Sequence, residues 1–137
     1  MNELIDKAKN ANGFVFGSPV YYGHPSGRLL CALDRAFYAG SFAFAGKPGA
    51  AVASSRRAGS LATIDAIQKH LTINQMLVVS SFYWNEVHGN SPEQVMQDAE
   101  GVAIMHQLGR NLARAIKAYA ASPAVEEFPR SYTNFIR

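Results

Sequence analysis

Two adjacent guanidinium groups, Arg56 and Arg57, stand among hydroxyls and a glycine in Ser54-Ser55-Arg56-Arg57-Ala58-Gly59-Ser60. A loop of this kind ahead of a helix favours an anionic or electron-rich ligand, because guanidinium groups and free helix amides both present positive charge. Adjacent arginines are more often solvated surface charges, so the position of the loop has to decide between the two. A second segment, Ser18-Pro19-Val20-Tyr21-Tyr22-Gly23-His24-Pro25-Ser26-Gly27, sets two phenol rings among prolines and glycines that constrain the backbone. It could hold a flat ring, or its tyrosines could pack inward with wet hydroxyls. A third segment, Ser80 to Asn90, carries Phe82, Tyr83 and Trp84 next to Asn85.

Other reactive residue types form no pattern. His24, His70, His88 and His106 lack metal-ligand spacing, and the single thiol, Cys31, is expected to be a small buried hydrophobe on a helical face. One cysteine excludes an internal disulfide and a Cys-rich metal or iron–sulfur site. Ser18 has no Gly-x-Ser-x-Gly elbow around it, and Asp34 or Glu86 with a histidine makes no recognisable triad.

The elements that must position these segments follow from length and periodicity. At 137 residues, 48% hydrophobic and 17% charged, the chain has the composition of one globular domain. A net charge of +3 without a concentrated basic stripe argues against nucleic acid as a partner. No apolar run is long enough to span a membrane, and residues 1–12 are too polar for a signal peptide, which makes the cytoplasm the expected location.

Leu4, Ile5, Ala8 and Ala11 recur at helical spacing. Gly13-Phe14-Val15-Phe16-Gly17 is then an apolar run of the kind expected for a central strand buried on both faces. Leu29, Leu30, Leu33, Ala36 and Phe37 define a helix over residues 26–38 with Ser26 as its cap. The turn Gly46-Lys47-Pro48 introduces a second buried strand, Gly49 to Ala53. Ser60 is expected to cap a helix with Leu61, Ile64, Ile67 and Leu71 on one side, ended near Asn74, and Met76 to Ser80 is expected to be the third strand. Ser91-Pro92-Glu93-Gln94 offers a cap, a proline at the first helical position and a capping-box glutamine. From there Val95, Ala99, Val102, Leu112 and Ile116 predict one helix to Ala121, about 45 Å long. Gly101 and Gly109 inside it imply close packing against a strand or another subunit. After Ser122 the prolines and the aromatic residues Phe128, Tyr132 and Phe135 predict an irregular surface tail.

Strand–helix alternation gives an α/β fold with parallel strands, and ligands of such sheets bind beyond the strands' carboxyl ends. All three unusual segments are expected there. Gly17 to Gly27 at a strand exit, followed by Leu33-Asp34-Arg35, Lys47-Pro48, the Ser54-to-Ser60 loop and Asp98-Ala99-Glu100-Gly101, resembles the flavodoxin-like NADPH-dependent FMN reductases and iron–sulfur flavoproteins.

The resemblance implies a three-layer α/β/α flavodoxin-like domain over residues 1–122 with a tail at 123–137. It implies FMN across the strand ends, contacted by Ser18, Pro19, Val20, Tyr21, Tyr22 and Gly23 and approached by Ser54, Ser55, Arg56 and Gly59. It implies NAD(P)H as co-substrate, hydride passing through FMN to a small-molecule acceptor such as a quinone, flavin or metal ion, and a homo-oligomer, dimer or tetramer. Arg56 would stabilise charge on the reduced ring, Tyr21 and Tyr22 would shape its pocket, and Trp84 would wall the nicotinamide or acceptor side. No side chain need act as acid or base, because the cofactor carries the redox step.

Such families open with a strand, a phosphate-binding loop and a second strand, all of which would lie ahead of Met1. The chain is therefore expected to be an N-terminally truncated, carboxyl-terminal two-thirds of the domain, with the edge beside Phe14 to Phe16 open. Loss of that loop would weaken FMN binding by more than about a thousandfold. The alternative is a non-catalytic, truncated or split subunit serving as an interaction module.

Overall fold

The structure is a computed structural model that describes residues 1–123 and 126–133. The Phe135 expected in the tail lies outside the described residues. In order come α1 (Asn2–Lys9), β1 (Phe14–Tyr21), β2 (His24–Pro25), α2 (Gly27–Gly40), a 3-10 turn at Ser41–Ala43, β3 (Pro48–Ser55), α3 (Ser60–Ile73), β4 (Leu77–Val78), β5 (Glu86–His88), α4 (Pro92–Gln97) and α5 (Ala99–Ala121). β3 pairs in parallel with β1 on one side and with both β4 and β5 on the other.

β3 carries small residues because both of its faces are covered. Ala51 and Ala53 turn towards Leu33, Ala36, Phe37, Ile64, Ile67 and Leu71 of α2 and α3, whereas Ala50 packs with Val79 and Leu108, flanked by Val52 and Met105, under α5. Helix layers thus lie on both sides of the sheet, as the sequence implied. The first layer is filled by an aromatic stack in which the Phe37 and Phe44 rings lie 4.5 Å apart, with Phe14 and Phe16 against them.

β1 is not the central, doubly buried strand that Phe14 to Phe16 predicted. Its burial alternates; Phe14 and Phe16 face the aromatic stack while Val15 is 52% exposed. Apolar residues on both faces made it read as central, yet α5 packs mainly over β3 and β5. Among the described residues its outer edge meets only the two-residue β2, at Val20 and Tyr21.

Two further departures concern the chain after Asn74. β4 covers only the first part of the expected strand, and the unpredicted β5 resumes the same position beside β3 after a seven-residue excursion. Asn85, buried, closes that gap: its Nδ2 donates to the carbonyls of Ala51 and Val79 at 3.2 and 3.4 Å, and its Oδ1 accepts from the Ser81 amide. The expected single helix is two. It breaks at Asp98, whose carboxylate accepts the Gly101 amide at 3.0 Å and caps α5. α4 keeps the start signal read in the sequence, Ser91 Oγ accepting from the Gln94 amide. The Gln94 side chain reaches back to the amide of Asn90 rather than that of Ser91.

Gly101 does sit against a strand, since a Cβ there would lie 3.0 Å from Val87 Cα, whereas Gly109 has open space around it. Cys31 is exposed, not buried. It lies about 200° round the helix from Leu33 at 100° per residue, and Leu33 faces the core. Lys47 ties α1 to the sheet: Nζ donates to the carbonyls of Ala8 and Lys9 at 2.9 and 3.1 Å. Desolvation there lowers its pKa.

Candidate functional site

The segment read as a loop after the first strand is a β-hairpin. β1 runs on to Tyr21 and pairs with β2, Val20 opposite Pro25 and Tyr21 opposite His24. The two-residue turn, Tyr22 and Gly23, has φ of 51° and 75°, the left-handed pair that matches the twist of a hairpin. Ser18 fastens its base, the hydroxyl accepting the Ser26 amide at 2.7 Å and donating to the Pro19 carbonyl at 2.8 Å.

Opposite the hairpin, β3 ends at Ser55 and the chain turns into α3 through Gly59, at φ 92°. A Cβ on Gly59 would meet Val20 at 2.8 Å and the Gly23 backbone at 3.0 Å, so only glycine lets the two turns touch. Ser60 begins α3 rather than capping it, and its hydroxyl is used internally, 2.8 Å from that of Ser55.

Between these turns lies a cavity of about 580 Å³ lined by Pro19, Val20, Tyr21, Ser54, Ser55, Arg56, Gly89, Asn90, Ser91, Pro92, Val95 and Met96. Its volume falls within the range that holds small organic ligands. A shallower hollow of about 290 Å³ adjoins it, shares Pro19 and Ser54, and adds Gly17, Ser18, Val52, Ala53, Val87 and Met105. Both lie at the carboxyl ends of β1, β3 and β5.

Of the ten residues singled out from sequence, six line the larger cavity: Pro19, Val20, Tyr21, Ser54, Ser55 and Arg56. Ser18 lines the neighbouring hollow. Tyr22, Gly23 and Gly59 line neither; the two glycines shape the turns, and the Tyr22 ring points wholly into solvent. The third wall was missed. It comes from Gly89 to Met96, after an unpredicted strand, and only the turn chemistry of Gly-Asn-Ser-Pro could have signalled it.

Phe82, Tyr83 and Trp84 do not reach this cavity. They belong to the excursion between β4 and β5, with Phe82 sharing a separate surface hollow with Ala103, His106 and Arg110 of α5 and Tyr83 edge-on to Trp84 at 4.7 Å. Trp84, expected at the nicotinamide or acceptor side, lines neither hollow. Asp34 and His70 pair at 2.8 Å between α2 and α3, and neither residue lines the cavity.

With this geometry in view, known proteins give a consistent answer. The sequence profile of the NADPH-dependent FMN reductases matches residues 1–91. The chain belongs to the NADPH-dependent FMN reductase family. Within reach of this family, it is 32% identical over 125 residues to an iron-sulfur flavoprotein of Methanocaldococcus jannaschii, covering 85% of this chain and 65% of the other. It is 28% identical over 122 residues to the iron-sulfur flavoprotein of Methanosarcina thermophila, covering 85% and 62%. The chain thus spans just under two thirds of the length of these curated relatives. The FMN reductase family member also shares its fold with the flavodoxin-like, WrbA-like protein from Agrobacterium tumefaciens, with a TM-score of 0.65, 17% identity and coverage of 88% and 73%. A flavone reductase superposes with a TM-score of 0.68 at 21% identity, over 89% of this chain and 48% of that one. The fold is flavodoxin-like α/β.

Proposed function

We propose that the cavity at the strand ends is the ring site of an FMN-dependent oxidoreductase that uses NAD(P)H as donor and a quinone, flavin or metal ion as acceptor. The observation that carries this reading is the lining itself. A flat conjugated ring needs apolar walls and polar groups at its rim, and Pro19, Val20, Val95 and Met96 supply the first while Ser54, Arg56 and the main chain of Gly89 to Ser91 supply the second. The residues fit the FMN that the family has in its name, and the curated relatives are named as flavoproteins. Bound there, FMN would supply the redox chemistry, accepting hydride from the nicotinamide and passing electrons on.

The protein's share is placement and charge. Pro19 to Tyr21 present one wall, Ser54 and Ser55 the base, and the exposed guanidinium of Arg56 offers positive potential to negative charge on the ring. Tyr22, at the tip of the hairpin, stands free to meet a second ring stacked above.

The test uses two probes, FMN and lumiflavin, which keeps the tricycle and lacks the phosphate. Saturable quenching of lumiflavin fluorescence, weakened about tenfold in Arg56→Ala, supports the ring site. NADPH oxidation on addition of a quinone supports the donor and acceptor. If neither flavin binds, the reading falls, and the interaction-module alternative takes its place.

A further inference from the structure

α4 forms one wall of the cavity, yet not one of its six residues is buried. Only Val95 among them is even partly covered, so side-chain packing fixes the helix weakly and the contacts at its two ends carry much of its placement. At the leading end, Gly89 lets the Val95 backbone approach, its own amide donates to the Ser55 carbonyl at 3.0 Å, and Gln94 Oε1 accepts the Asn90 amide at 2.7 Å.

At the trailing end stands Asp98. One carboxylate oxygen accepts the Gly101 amide at 3.0 Å and the other the His88 amide at 2.7 Å. The same side chain therefore joins the last residue of β5 to the first turn of α5, and the segment from Gly89 to Gln97 is a loop closed by that double contact. Gly101 makes the closure possible: a Cβ there would collide with the carboxylate and with Val87 Cα.

We infer that Asp98 is the positioning residue of the ligand site, holding α4 with Val95 and Met96 at the distance that gives the cavity its width. It touches neither cavity. The inference rests on the ring-site reading above and adds to it the residue that sets the third wall.

Two variants of the full chain test it. Asp98→Asn keeps a good N-cap residue but has one carbonyl oxygen where the clamp needs two. Gly101→Ala pushes the carboxylate aside from the opposite direction. Amide hydrogen exchange on the ligand-free protein reads the clamp, and lumiflavin titration reads the site. The expected result is faster exchange at His88 and through Asn90 to Met96 in both variants, retained protection in β3 and α3, and lumiflavin affinity lowered about tenfold.

Wild-type affinity in both variants, with the His88 amide freed, would overturn the inference and leave the ring site standing. Unchanged exchange from Asn90 to Met96 with the His88 amide freed would overturn it as well. If the wild-type chain binds neither lumiflavin nor FMN, the ring-site reading fails first and the inference goes with it.

Discussion

Tyr22 and Gly23 turn the hairpin with both residues at positive φ, and only the glycine is suited to it. A left-handed backbone costs a residue with a Cβ about 1–2 kcal/mol, and the fully exposed Tyr22 ring recovers none of that by packing. Asn is at home in this position, so Tyr22→Asn should raise stability by about 1 kcal/mol in denaturant unfolding. Gly59→Ala should lower it by about 2 kcal/mol or more, combining the positive φ with a collision against Val20 and Gly23. Asp98 makes the stability depend on acid. The amides of Gly101 and then His88 hold its carboxyl below the usual carboxylate range. A depressed folded pKa means that this stabilisation is complete above the unfolded value, about pH 4, and drains away as pH falls through the lower folded value. Asp98→Asn should therefore be the less stable protein at neutral pH, with its deficit closing on acidification, as melting curves across that range would record.

Elements here are joined by single polar side chains. β4 and β5 share one place beside β3, and the interval between them is bridged by Asn85, whose backbone carbonyl also accepts the Ala53 amide at 3.0 Å. Asn85→Leu would keep the bulk and strip the Ala51 and Val79 carbonyls of their donor. A loss of about 1–3 kcal/mol is expected, read from the denaturation midpoint, with the Ala53 amide exchanging faster. Lys47 plays the same part for α1, donating to its last carbonyls. Lys47→Met, similar in length but without the donor, should expose the amides of α1 to exchange while β3 and α3 stay protected.

At the scale of the molecule, β3 is the centre of the sheet, with β1 on one side and β4 and β5 on the other. β3 is sealed between helix layers, whereas among the described residues the outer edge of β1 is paired only at Val20 and Tyr21, by β2, and Val15 is half exposed on that strand. Such an edge can pair with another strand, and a charge on it opposes that. Val15→Lys should suppress concentration-dependent association in sedimentation velocity without shifting the melting temperature. Among the described residues no helix is long and apolar enough to cross a membrane.

Local chemistry determined much of this protein in advance. Glycine, proline and hydroxyl punctuation marked the ends of β3, α2 and α3, and side-chain periodicity marked their inner faces, because both signals act over a single turn or strand. The same is true of Pro19 to Tyr21 and Ser54 to Arg56, which reach the cavity simply by following two parallel strands. Long-range pairing decided the rest. Glu86–His88 has too few residues to show a period and becomes a strand only because β3 offers it a vacant ladder. The break at Asp98 leaves the apolar spacing of Val95, Ala99 and Val102 untouched, since a helix can change direction without changing its residue types. β1 took alternating burial, and Gly89 to Met96 became a wall, through what lies beside them in space, which no pattern within those segments encodes.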